Sequence, residues 1–156
     1  MHITIVAVGQ KLPAWAQTAV DDYLARFPRD FTVIVKEVKA EARTGGKPVA
    51  QVMAAEAERI ERAVPAGDIL VAMDEHGRDM TTVDFSKKIS AWKNEGCGVT
   101  FIIGGADGLD PALKAKSRMM LRLSSMTLPH AFVRVLLTEQ IYRAWSILAN
   151  HPYHRV

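Results

Sequence analysis

The residues best suited to chemistry lie in the last third of the chain. A glycine loop, Gly104-Gly105-Ala106-Asp107-Gly108, closes the apolar run that ends at Ile103. A turn mixing apolar and hydroxyl side chains follows, Leu123-Ser124-Ser125-Met126-Thr127-Leu128-Pro129-His130. The chain then ends Asn150-His151-Pro152-Tyr153-His154-Arg155-Val156. Two imidazoles, a phenol and a guanidinium gain little from waving in water, so this composition argues for a docked, working C-terminus. Glycines after a buried strand let a backbone approach a ligand and present its N–H groups, at the edge where open α/β sheets hold ligands. The spacing is neither Gly-x-Gly-x-x-Gly nor a loop ending in Gly-Lys-Ser/Thr, so neither a dinucleotide fingerprint nor a phosphate loop is supported. In the turn, Leu and Met can wall an apolar slot while Ser124, Ser125, Thr127 and the backbone offer hydrogen bonds, which suits a purine ring better than a phosphate. A plain structural connection is the competing reading of both segments.

Other chemistries find less support. His130, His151 and His154 do not form a His-Glu-x-x-His or similar ligand pattern, and Pro152 argues against a regular helical turn between the last two, so no metal is expected. No Gly-x-Ser-x-Gly elbow raises a hydrolase triad. Cys97, the single cysteine, sits between two glycines and reads as a small apolar filler; it leaves no partner for an intrachain disulfide or a thiolate cluster. Arg134 and Arg143 on the last helix are nine positions apart, half a turn out of phase, so they face different ways. Both are expected to be solvated unless a ligand lies at one end of that helix.

The elements that must position these groups alternate along the chain. Strand-like runs are Ile3–Val8, Phe31–Val38, Asp68–Asp74, Val99–Ile103 and Met119–Leu123. Helical spacing of apolar residues marks Pro13–Phe27, with Trp15, Ala19, Val20, Tyr23, Leu24 and Phe27 on one face. A loop, Ala42–Lys47, precedes a helix that starts with Pro48 in its first turn and buries Val49, Val52, Met53, Ala57, Ile60 and Val64. Thr82–Asn94 is the next helix. Asp110-Pro111, an N-cap and first-turn proline, opens a short one to about Ser117. Pro129–Asn150 closes the chain, with Val133, Leu136, Leu137, Ile141, Trp145 and Leu148 on its apolar side. This alternation predicts a single α/β domain over residues 1–156, with a mainly parallel sheet flanked by helices.

A chain of 156 residues suits one well-packed domain. With 49% hydrophobic and 24% charged residues it reads as globular. The uncharged run Leu123–Val133 has eleven residues, short of the roughly 20 a membrane helix needs. The N-terminus enters a strand with no basic region or cleavage site, which predicts a cytoplasmic protein. A formal charge of +3 permits a polyanionic partner without demanding one.

Ile103-Gly104-Gly105 with Gly108, Leu123-Ser124 through Thr127-Leu128-Pro129-His130, Val133-Arg134-Val135-Leu136, Glu139-Gln140, Tyr142-Arg143-Ala144 and the ending Asn150–Arg155 together resemble the bacterial ribosomal RNA large-subunit pseudouridine N3-methyltransferase family. That family is a small member of the SPOUT class of α/β-knot methyltransferases. The resemblance extends to Val6-Ala7-Val8-Gly9 and Tyr23–Pro28, so it spans essentially the whole length; the His-Pro-Tyr-His-Arg ending is its most specific part. It implies a C-terminal trefoil knot, which sequence rules alone do not predict, a homodimer, S-adenosylmethionine as methyl donor without a metal, and a hairpin loop of 23S rRNA in the assembled ribosome as substrate. Carried over by motif, the cofactor cleft comprises Met73, Gly104, Leu123, Ser124, Ser125, Met126, Thr127 and Leu128. Met73 stands where family members often carry another apolar residue.

N3 of pseudouridine is a weakly acidic imide N–H. The resemblance makes Glu139, His130 and His154 candidates for its proton, and Arg143 and Arg155 candidates for charge and phosphate. It also implies a tail that folds over the cofactor and the RNA-facing mouth. Two alternatives stand beside this reading: a ribosome- or RNA-binding factor of the same fold without methyl transfer, and a SPOUT methyltransferase of tRNA, which would carry an added RNA-binding segment.

Overall fold

In β1 (His2–Val8) side chains alternate between two apolar layers: Ile3, Ile5 and Ala7 face one, Val6 and Val8 the other. A strand buried on both faces belongs inside a sheet covered by helices on either side. The computed structural model, which describes residues 1–9 and 11–155, shows that arrangement; Val156, the last residue of the tail, lies outside the described residues. After β1 come α1 (Ala14–Leu24), β2 (Thr32–Val38), a 3-10 turn (Thr44–Gly46), α2 (Val49–Ala63), β3 (Ile69–Arg78), α3 (Thr82–Asn94), β4 (Val99–Ile103), α4 (Pro111–Lys116), β5 (Met119–Leu121) and α5 (His130–Leu148). The five strands run in the order β2-β1-β4-β3-β5, and every pairing is parallel. This is the α/β domain with a parallel sheet that the apolar pattern predicts.

One face of the sheet packs against α3 and α5, through Phe85, Ile89, Trp92, Leu137 and Ile141, with α1 beside α5. The other packs against α2 and α4, through Ala57, Ile60 and Leu113. Caps fix where two helices begin. Asp110 Oδ1 accepts the Ala112 N–H at 2.8 Å, and Thr81 Oγ1 accepts the Asp84 N–H at 3.1 Å. Pro48 stands one place earlier than read, at the N-cap of α2.

Three expectations change. β3 does not stop at Asp74; it resumes beyond an irregularity, and Arg78 pairs with Leu121, the residue Met73 also faces. Gly77 permits this, since a Cβ there would stand 2.7 Å from the Leu121 backbone. Val49 is about half exposed rather than buried. The apolar stripes of α1 and α5 are only partly covered: Trp15, Phe132, Leu136 and Leu148 reach solvent, and Trp15 and Phe132 lie together with ring centroids 4.9 Å apart.

Candidate functional site

Strand register decides which loops become neighbours. Met73 on β3 pairs with Ile103 on β4 and with Leu121 on β5, so β4 and β5 end level with Met73. Gly104 therefore leaves the sheet beside Met73, and the chain through Leu123–Leu128 leaves on Met73's other side. All eight residues assigned to the cofactor cleft are thus carried by one edge of the sheet, at its carboxyl ends.

The glycine loop doubles back tightly. Gly105 and Gly108 form a bridge, the Gly108 N–H donates to the Gly105 carbonyl at 3.0 Å, and Gly108 has φ +83°. A Cβ on Gly104 would stand 2.5 Å from the Gly108 carbonyl carbon, which the fold cannot accommodate. Gly105 is not in the left-handed region; it is bare because Glu56 Oε1 and Val8 Cγ1 would lie 3.0 and 3.2 Å from a Cβ. Glu56 is a carboxylate buried on α2, and its Oε2 accepts the Glu41 N–H at 3.0 Å. Arg43 pairs with Asp107 at the loop's tip. In the following turn Ser124 Oγ accepts the Met126 N–H at 2.9 Å, while Ser125, Met126 and Thr127 are exposed. Leu123 packs on the core, and a cavity of about 180 Å³ opens beside it, lined among others by Phe85, Leu121 and Arg122.

The catalytic candidates assemble elsewhere. Asn150, in the left-handed region at φ 54°, turns the chain back after α5, and the His151 N–H donates to the Ser146 carbonyl at 2.8 Å. The tail is therefore docked, as its composition requires. It lies on the second half of α5 and on α1, and among the described residues it makes no hydrogen bond or ring contact with the Leu123–Leu128 turn. The Tyr153 hydroxyl donates to Glu139 Oε1 at 2.9 Å and meets the Tyr23 hydroxyl at 3.0 Å. Its ring lies 4.7 Å from that of Tyr142 and 4.8 Å from the Arg143 guanidinium carbon. Burial, then the hydrogen bonds with Tyr23 and Glu139, push the phenol well above the usual tyrosine range, so it stays protonated.

Glu139 is heavily engaged. Its Oε1 also takes Arg143 Nε at 2.8 Å, and its Oε2 accepts the Gln140 amide at 2.9 Å; the hydrogen bond to Glu139 holds Arg143 charged. His154 Nδ1 lies 3.3 Å from Ser146 Oγ, and Arg155 is exposed. At about 1.5 Å per residue, Glu139, Arg143 and Ser146 lie about 14, 20 and 24 Å along α5 from His130, and Gln140 lines the same cavity as Leu123.

Arg134 overturns the expectation of a solvated side chain. It is 1% exposed, its Nε donates to His130 Nε2 at 2.9 Å, and its Nη1 lies 3.6 Å from Glu37 Oε1 on β2. It faces away from Arg143, as the half-turn phase requires. No apolar periodicity marks Arg134, Glu37 or Glu56, because a hydropathy pattern reads every charge as outward-facing. Among the described residues no group of three or more His, Cys, Asp or Glu side chains could hold a metal ion, and no helix is long and apolar enough to cross a membrane.

The profile of one family, described as "Predicted SPOUT methyltransferase", matches residues 1–154. A protein of Bordetella avium named ribosomal RNA large subunit methyltransferase H is 56% identical over 155 residues, covering 99% of either chain. One of Ralstonia pickettii with the same name is 53% identical over 156 residues, covering all of both. Among solved structures, a methylase family protein from Haemophilus influenzae superposes with a TM-score of 0.58 at 13% identity, over 99% of this chain and 70% of that one. One from Neisseria gonorrhoeae gives 0.54 at 14% identity, over 99% and 95%. These structural likenesses show a shared fold.

Proposed function

Because the chain belongs to the SPOUT methyltransferase family, we propose that it transfers a methyl group from S-adenosylmethionine to the RNA of the large ribosomal subunit. The acceptor in this reading is N3 of a pseudouridine in a 23S rRNA hairpin loop, met in the assembled ribosome in the cytoplasm. The relatives' names supply the substrate class. The observation that carries the reading is the register that sets Met73, Gly104 and Leu123–Leu128 around one sheet edge.

The residues at that edge fit the methyl donor. They offer apolar walls, hydroxyls and a backbone kept bare at Gly104, which suit a purine with a flexible sulfonium chain. Met73, Gly104 and Leu123 to Leu128 would hold it, and when bound it supplies an activated methyl group. The protein must then orient the acceptor base and stabilise its charge as N3 loses a proton. Bases of a hairpin loop are already partly unstacked, so little unpairing opposes their entry.

The site is proposed to be complete only in a homodimer. In this reading Glu139 at the middle of α5 and Arg143, His154 and Arg155 toward its far end act on the cofactor turn of a second copy. The exposed patch of Trp15, Phe132 and Leu136 supports such pairing, since Phe132 and Leu136 share a helix face and Trp15 packs on the first. A C-terminal trefoil knot belongs to the same reading; in its support, the chain leaves β5 at the sheet's edge and returns through residues 122–129 to pack α5 between α1 and α3.

Labelled methyl transfer from S-adenosylmethionine to ribosomes, free rRNA and tRNA of cells lacking the enzyme tests the reading. Label at N3 of one pseudouridine in ribosomes is the expected result. Label in tRNA alone would replace the substrate, and none in any RNA would leave a binding factor.

A further inference from the structure

A guanidinium cannot accept a hydrogen bond, and its Nε keeps its proton. Arg134 Nε stands 2.9 Å from His130 Nε2, one turn earlier on α5, so that ring nitrogen must accept. The imidazole is then neutral, with its proton on Nδ1. The surroundings enforce this state. Burial disfavours the imidazolium first, repulsion from Arg134 second, and Glu37 on β2 alone pulls the other way. Gly9, against which both side chains lie, adds no charge.

Arg134 is enclosed, and among the described residues its Nη1 and Nη2 have no hydrogen-bond partner, only the ion pair of Nη1 with Glu37 at 3.6 Å. So enclosed a cation is costly to hold, and Glu37 and His130 are the groups it is held against. What remains available is His130 Nδ1–H, on a half-buried ring, without a hydrogen-bond partner among the described residues and one position after Pro129 closes the cofactor turn.

We infer that Arg134 is a positioning residue that locks His130 as a neutral donor, and that the His130 Nδ1–H is given to a carbonyl oxygen flanking the reacting nitrogen of the target base. This inference rests on the functional reading above. As an imide nitrogen loses its proton, charge spreads to the neighbouring carbonyl oxygens, and a fixed N–H bound there gains strength as that charge grows. The buried cation behind the ring polarises the donor. The same geometry removes His130 from the candidates for taking the imide proton, because its one basic nitrogen is already occupied.

The test uses full-length protein labelled with ¹⁵N at histidine, whose long-range proton–nitrogen spectra distinguish the two tautomers and the imidazolium. The wild type should show His130 as the Nδ1–H tautomer at pH 7, persisting below pH 6.5. Arg134→Met keeps the core filled; it should release the tautomer, raise the titration of His130, and slow single-turnover methylation of ribosomes about 10²-fold with little change in ribosome affinity. His130→Ala should show the same rate loss. An Nε2–H tautomer or an imidazolium in the wild type at pH 7, or full-rate methylation by Arg134→Met, overturns the inference. Wild-type protein that methylates no RNA overturns the functional reading and the role of His130 with it, whereas an active wild type with the wrong tautomer overturns the inference alone.

Discussion

Arg134 and Arg143 share a helix and a side chain but not an environment. Arg143 lies 2.6 Å from Glu139 and over the Tyr153 ring, at the surface. Arg134 is enclosed, with Glu37 3.6 Å from its Nη1 as an ion pair and no hydrogen-bond acceptor for Nη1 or Nη2 among the described residues; a buried group left so poorly satisfied costs roughly 1–3 kcal/mol. Spacing along the sequence shows that the two point opposite ways; it does not show that one side is the protein interior, because burial of a charge depends on partners from β2 and on His130. Gly104 is the opposite case, where the sequence showed a glycine loop closing a strand and not the close backbone approach that requires glycine there. The expected outcome for Gly104→Ala follows from the 2.5 Å approach to the Gly108 carbonyl carbon. The loop must reopen, and S-adenosylmethionine affinity measured by calorimetry should fall at least about 10-fold, while far-ultraviolet circular dichroism keeps its α/β signature. Unchanged affinity would make the loop a structural turn and remove Gly104 from the site.

At the scale of elements, the strands were the most legible feature. Val99–Ile103 is continuously apolar because both its faces are covered, and β1 is doubly apolar for the same reason. The return of β3 through Gly77 to Arg78 was not legible, since it depends on where Leu121 lies. The apolar stripes of α1 and α5 were visible, but periodicity says that a face is apolar and not what covers it. The tail was legible as docked, yet its direction hangs on the left-handed turn at Asn150. Its anchor predicts a pH dependence. The Tyr153 phenol is held above the ordinary tyrosine value of 10.0 by burial and by its bonds with Tyr23 and Glu139. The stability it contributes is whole below about pH 10 and is lost as pH rises beyond, because the unfolded chain then gives up a proton that the folded chain keeps. Tyr153→Phe should cost about 1 kcal/mol at pH 7 in thermal unfolding and flatten the loss above pH 10. An unaltered alkaline slope would mean that Tyr153 does not anchor the tail in solution.

For the whole molecule, the docking of the tail on α5 and α1 bears on the proposed dimer. α5 has 19 residues, with the Leu123–Leu128 turn just before its start and the docked tail against its second half. In the proposed reading the tail of one protomer serves the Leu123–Leu128 turn of a second copy related by a two-fold axis. Complementation tests this more sharply than sedimentation, which should nonetheless show about twice 17.2 kDa. Let one variant lack Tyr153 to Val156 and the other carry Gly104→Ala. Either homodimer lacks one half of every site and should be nearly inactive when S-adenosylmethionine is held well below the concentration that the weakened Gly104→Ala loop needs. Mixed and allowed to exchange subunits, half of the dimers become hybrids, in which the intact loop of the truncated chain faces the intact tail of the other. One working site in each hybrid restores roughly a quarter of the wild-type rate. If the tail served the loop of its own chain, neither subunit of the hybrid would hold a complete site, and the mixture would stay as inactive as its parents.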